Sequence, residues 1–162
     1  MHNIIIIILF LKGDNMSKLI DQLLSLQADA HTLWIRFHNY HWNIKGFEFF
    51  AIHEYTEKAY DDIAELFDDV AERAIQLGGR ALVCSRALAE KSNIAKIQKD
   101  NFNAVDVLEG LKKDYEYLLT EFKKLDKLAN EADDTTTSTL AQDYIAKYEK
   151  SIWMLNSSLN KA

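Results

Sequence analysis

The sequence predicts an all-α protein: a four-helix bundle with one long crossover between its second and third helices. Three observations lead there. The 162 residues include no proline and only five glycines, so little interrupts long helices. Apolar residues recur at alternating spacings of four and three in four separate stretches, the rhythm of helices packed on helices. The link between the second and third stretches, about twenty residues long, is enough to carry the chain from one end of a bundle to the other.

Composition narrows the class. The length suits one domain with a real core, and 48% hydrophobic with 27% charged residues fits a soluble globular chain. A formal net charge of -6 provides no global basic field to draw in nucleic acid or an anionic membrane. The single cysteine, Cys84, excludes an intramolecular disulfide. It reads as a small apolar residue in a reducing compartment, so a cytoplasmic location is expected.

Residues 1–15, MHNIIIIILFLKGDN, do not match the rest. The apolar run from Ile4 to Leu11 is far shorter than the roughly 20 residues that span a bilayer. No Lys or Arg precedes it and no small-residue cleavage site follows. It reads as an upstream start-site extension or a disordered arm in preference to an export signal, with the domain proper at 16–162.

The first helix is expected from about Ser17 to Asn43. Leu19, Leu23, Leu26, Ala30, Leu33 and Phe37 form its stripe. A second stripe beside it carries Ile20, Leu24, Gln27, His31, Trp34, His38 and His41, with Gly46 as the turn. The second helix, about Phe47 to Leu77, keeps the rhythm through Phe49, His53, Thr56, Tyr60, Ile63, Phe67, Val70, Ala74 and Leu77. Glu57, Asp61, Asp68 and Glu72 lie beside that stripe, and Gly78-Gly79 ends the helix. Residues 80–101 form the crossover, with a short helix around Arg86 to Glu90. The third helix runs from about Asn103 to Glu131 and the fourth from about Thr136 to Leu159, after an acidic turn and a threonine-rich capping stretch.

His41, His53, Asp68 and Glu72 are all good metal-ligand types. Asp68 and Glu72 are four apart and share a helix face. His53 projects within about 60° of Asp68, yet fifteen residues along one helix separate them by roughly 22 Å. A metal–ligand bond is about 2 Å, so one straight helix cannot bring both to one ion. Two readings stand on these residues. They are unrelated, His53 being a satisfied core histidine and the carboxylates a solvated face. Or a two-fold dimer with antiparallel second helices brings His53 of one chain to Asp68 and Glu72 of the other, His41 joining from the end of the first helix. The resulting set, two imidazoles and two carboxylates with room for water, suits a labile or redox-active iron ion better than a closed structural zinc.

The segments HNYHWNIKG and FFAIHEYTEKAYDDIAELFDDVAERAIQLGG, with the closing KSIWMLNSSL, strongly resemble the Dps family, the twelve-subunit mini-ferritins. The resemblance runs from Met16 to the C-terminus, and HWN, then His53, then D-x-x-x-E is its most specific part. It implies a ferritin-like bundle and an inter-subunit ferroxidase centre, with His41 and His53 from one subunit and Asp68 and Glu72 from its partner. A two-iron centre is possible on this pattern, with Glu57 matching a carboxylate that some members use for a second ion. It implies a hollow homo-dodecamer that oxidises Fe(II), preferably with hydrogen peroxide and otherwise with oxygen, and stores ferric mineral inside. Trp42 near such a site either intercepts oxidising radicals or packs an interface. His38 is an outer partner of His41 or an interface residue, and His31 is structural. His2, in the doubtful extension, receives no role. Glu131, Asp134 and Asp143 match the region of the family's acidic iron-entry pores. The chain departs from the DNA-binding members in lacking a Lys/Arg-rich terminal tail, so direct DNA binding is not expected. The alternative function is a DNA-binding, nucleoid-compacting or surface-recognition shell with little iron turnover.

Overall fold

A computed structural model describes residues 2–160, with side chains from residue 13 onward. The described chain forms five helices: α1 (His2–Asn43), α2 (Phe49–Gln76), α3 (Ser85–Lys91), α4 (Ala104–Glu131) and α5 (Thr135–Ser158). The all-α bundle expected from the periodicity is present, and α3 is the short helix of the crossover. The chain is helical from His2, ahead of the apolar-polar pattern that begins near Ser17. Asn15 already touches the bundle through its side-chain amide, 2.8 Å from the Glu131 carbonyl. Met1 and the side chains of residues 2–12 lie outside the described residues, and with them any role for His2.

α1 packs chiefly on α2, and α4 on α5. His41 meets His53 and Ile20 meets Gly79, so α1 and α2 are antiparallel. Tyr115 meets Tyr148 while Asp126 meets Ser138, so α4 and α5 are antiparallel too. Arg36 pairs with Asp114 and Asp69 with Tyr144, placing α4 against α1 and α5 against α2. α4 therefore runs in the same direction as α2. The crossover has to climb the whole length of the bundle to reach its start, which is why it is long.

The α1 stripe is in the core: Leu19, Leu23, Leu26, Ala30, Leu33 and Phe37 are all fully buried, in one cluster with Leu111, Leu118, Phe122 and Leu125 of α4. The α2 seam differs from the expected one. Its buried positions are Ile52, Thr56, Ala59, Ile63, Leu66, Val70, Ala71 and Ala74. Phe49, His53, Tyr60, Phe67 and Leu77 are only partly covered. Both sets follow a four-three rhythm and share Thr56, Ile63, Val70 and Ala74, so periodicity alone could not choose between them. The displaced aromatics lie beside the α1 stripe of His31, Trp34 and His38: Phe67 is 6.3 Å from His31, and Tyr60 stacks on His38 at 3.9 Å. Together they make a half-open aromatic face.

Local chemistry explains the helix ends. Asn103 and Asp106 form a reciprocal capping box at the start of α4. Asp134 caps α5 through the Thr137 N–H. Gly78, at φ +88, takes the left-handed conformation that ends α2. The buried polar residues of α1 fasten the crossover. Gln27 accepts from the Leu82 N–H and donates to its carbonyl. Asp29 accepts from Ser92, from the Asn93 N–H and from the Tyr117 hydroxyl. Arg36 donates to the Ala95 carbonyl and pairs with buried Asp114, and Asn39 donates to the Lys99 carbonyl. Burial pushes the Asp114 carboxyl up to about 6, against the opposing pull of Arg36. Among the described residues, no helix is long and apolar enough to cross a membrane.

Candidate metal centre

α1 ends and α2 begins at one corner of the bundle. Gly46, at φ +120, allows the tight reversal between them, and the Gly46 carbonyl accepts from the Phe49 N–H. The crossover backs this corner. The Phe102 N–H donates to the Asn43 carbonyl and the Lys45 N–H to the Phe102 carbonyl, while the Phe102 ring meets Tyr40 edge-on at 5.0 Å.

Inside the corner the two histidines lock each other. His41 Nδ1 lies 2.9 Å from the His53 carbonyl, and His53 Nδ1 lies 2.8 Å from the His41 carbonyl. The rings stack with centroids 3.6 Å apart. A carbonyl oxygen only accepts, so each Nδ1 carries the hydrogen. In the neutral ring the lone pair is then on Nε2, the nitrogen left free to bind a metal. The His41 carbonyl belongs to the last turn of α1, where helical geometry leaves acceptors unpaired. His53 satisfies one of them while fixing its own ring. Phe49 stacks on His53 at 4.9 Å and Tyr60 meets His41 edge-on at 5.2 Å. Burial, then the Glu57 and Asp61 carboxylates, raise the Tyr60 hydroxyl above its ordinary range.

The chain brings together His41 and His53 and leaves the carboxylates elsewhere. Asp68 and Glu72 are exposed on the far half of α2, and Glu57 is exposed one turn beyond His53. Among the described residues no three or more His, Cys, Asp or Glu side chains converge on a common point. His38 is half-buried, its Nδ1 donating to the Trp34 carbonyl at 2.9 Å. It lies beside Trp42, which is 64% exposed. His31 is half-buried against Phe67. Of the three pore candidates, Glu131 and Asp143 are exposed. Asp134 is committed elsewhere: both its oxygens accept from Arg73 Nη2 at 2.8 Å, and it caps α5. Missing from the sequence reading is the pair of carbonyls that orients the imidazoles. The main chain has no letter in a sequence, so no spacing announces it.

Comparison with known proteins places this arrangement. The model of the ferritin-like domain matches residues 20–162. The DNA protection during starvation protein of Helicobacter pylori is 41% identical over 142 residues, covering 88% of this chain and 99% of that protein. Among solved structures, antigen TpF1 from Treponema pallidum superposes with a TM-score of 0.88 at 36% identity, covering 90% of this chain and 94% of that one. The Dps protein of Vibrio cholerae O1, described as a member of a broad superfamily of ferritin-like diiron-carboxylate proteins, gives a TM-score of 0.85 at 33% identity, covering 90% of this chain and 91% of that one. The chain belongs to the Dps family. In this Dps chain the match takes in α1 from Ile20 onward and all of α2–α5, so the histidine corner and the distant carboxylates both lie within the shared fold.

Proposed function

We propose that this Dps protein is an iron-storage and detoxification protein. It takes Fe(II) as substrate at centres shared between two subunits and oxidises it, preferably with hydrogen peroxide. His41 and His53 of one chain hold the ion together with the carboxylates at positions 68 and 72 of a second chain. The observation that carries this reading is the reciprocal carbonyl lock, which uses both Nδ1 atoms of two stacked imidazoles at one end of α2 and leaves the Nε2 lone pairs for a ligand. The carboxylate pair stands about 22 Å away toward its other end, by helical rise. Two copies related by a two-fold axis with antiparallel α2 helices bring each half to the other and create two equal centres.

The donor set fits the substrate. Neutral imidazole accommodates Fe(II), and hard carboxylates favour Fe(III) once an electron has left. Two Fe(II) ions give one electron each to one peroxide. The O–O bond breaks, two protons are taken up, and the products are two Fe(III) and two waters, with no hydroxyl radical released. Glu57 extends the donor set for a second ion. We place the ferric product as mineral inside a hollow homo-dodecamer in the cytoplasm, with acidic entry at Asp143 and Glu131. The relatives named for DNA protection suggest the outcome for the cell. With a net charge of -6, this chain supports protection through removal of iron and peroxide more than through contact with phosphates.

The test is anaerobic addition of Fe(II) to the purified assembly, then peroxide, with ferric absorbance recorded. Iron-dependent consumption of peroxide that disappears in His41→Ala and in Asp68→Ala is expected. Salt-sensitive co-precipitation of DNA without iron turnover would replace this reading with the nucleoid-binding one.

A further inference from the structure

We propose that Thr56 is a positioning residue for His41, its hydroxyl oxygen serving as a second acceptor that holds the ring in the orientation and tautomer presenting Nε2. The inference rests on the reading of His41 as a metal ligand. Thr56 is fully buried at the α1–α2 seam. Its Oγ1 lies 2.8 Å from the Ile52 carbonyl, 2.9 Å from the His53 carbonyl and 3.4 Å from His41 Nδ1.

Counting donors and acceptors decides what the hydroxyl does. A carbonyl oxygen has two lone pairs. The His53 carbonyl, inside α2, is offered the helical N–H four residues on and the His41 Nδ1–H at 2.9 Å. Those two fill it. The single Thr56 proton therefore goes to the Ile52 carbonyl, the shorter of its two carbonyl contacts. That turns a Thr56 lone pair toward His41 Nδ1–H, which now has two acceptors around it. Either acceptor disfavours the tautomer with a bare Nδ1, because its lone pair would face oxygen lone pairs in a buried site. Among the described residues, His53 Nδ1 has one hydrogen-bond acceptor, the His41 carbonyl at 2.8 Å. Its ring is held by the single α1 carbonyl and by stacking on Phe49 and His41. The two histidines are thus held unequally, and Thr56 is what distinguishes them.

Thr56→Val keeps the branched shape and removes the hydroxyl; Thr56→Ser keeps the hydroxyl. Imidazole nitrogen chemical shifts of the metal-free protein, labelled at histidine, read the tautomer directly. Titration with Co(II), as a non-oxidising stand-in, reads affinity. We expect Thr56→Val to raise the minor His41 tautomer and to weaken Co(II) binding about tenfold, the lower end for removal of an outer hydrogen-bond partner, with Thr56→Ser close to the parent on both. Unchanged nitrogen shifts and affinity in Thr56→Val overturn the proposal, as does a loss in Thr56→Ser equal to that in Thr56→Val. The shifts are read without metal, so failure of the parent protein to bind Co(II) or Fe(II) would sink the ferroxidase reading and leave the tautomer result standing on its own.

Discussion

Co-assembly of His53→Ala chains with Asp68→Ala chains is expected to restore activity that neither variant has alone. In an assembly of His53→Ala chains every shared centre lacks one imidazole. In an assembly of Asp68→Ala chains every centre lacks one carboxylate. A mixed dimer is different. One of its centres draws His53 from the Asp68→Ala chain and Asp68 from the His53→Ala chain, and is intact; the other carries both lesions. With random mixing of equal amounts, half the dimers are mixed and half of their centres are whole, so about a quarter of the parent activity returns. The opposite expectation holds for a centre within one chain, since every chain in the mixture is then defective. The distance decides between them: fifteen residues of α2 rise roughly 22 Å, against a bond of about 2 Å. The assay is the initial rate of ferric absorbance after peroxide addition to co-expressed variants, with native mass spectrometry confirming mixed shells. Confirmed mixed shells no more active than the separate variants would refute the shared centre.

Five further outcomes follow from the same structure. Arg36→Met should cost about 3–5 kcal/mol in urea unfolding, because it leaves the buried Asp114 carboxylate unpaired, whereas Arg36→Met with Asp114→Leu should recover most of it. The Asp114 carboxyl is raised from 3.8 to about 6, so the native state holds the extra proton across that window. Its contribution, about 3 kcal/mol at most, is full below pH 4 and lost as pH rises through 6; Asp114→Asn should flatten the parent's pH profile there, and an unchanged slope would refute the assignment. Asp134→Ala removes a cap and the Arg73 partner together and should lower stability by about 2 kcal/mol, without the selective loss of iron uptake that a pore residue would show. Asp143→Asn should slow iron uptake while leaving the assembly's size unchanged in light scattering, and equal uptake rates would remove Asp143 from the entry path. Purified protein should not shift plasmid DNA in a gel at neutral pH and physiological salt; a shift persisting at that salt would contradict the indirect route to protection.

Much of the fold was legible because a buried helix face repeats every 3.6 residues, and the α1 stripe from Leu19 to Phe37 is buried residue for residue. The long crossover was legible because α4 must run in the same direction as α2. The α2 seam was not, since Phe49, Tyr60 and Phe67 satisfy the same rhythm as Ile52, Ala59 and Leu66. Apolar character cannot separate a core from a face that lies beside it. At the site, His41 and His53 could be paired by position alone once a corner was expected at Gly46. What orients them, two main-chain carbonyls and the Thr56 hydroxyl, could not. Asp134 shows the same limit in a carboxylate: the acidic turn matches the family's pore region by resemblance, and no letter reveals that its oxygens are engaged by Arg73 and the α5 N-terminus.

The fastening of the crossover has a consequence for how this chain can vary. Gln27, Arg36 and Asn39 grip main-chain atoms of Leu82, Ala95 and Lys99, and Asp29 grips the Asn93 N–H. None of those five bonds reads the identity of the crossover residue it holds. Lys96, Ile97 and Gln98 are exposed between the grips, and Asp100 and Asn101 just beyond the last of them. The route of the crossover is therefore written in α1, and the crossover's own letters at those positions are free to drift while the path they follow stays the same.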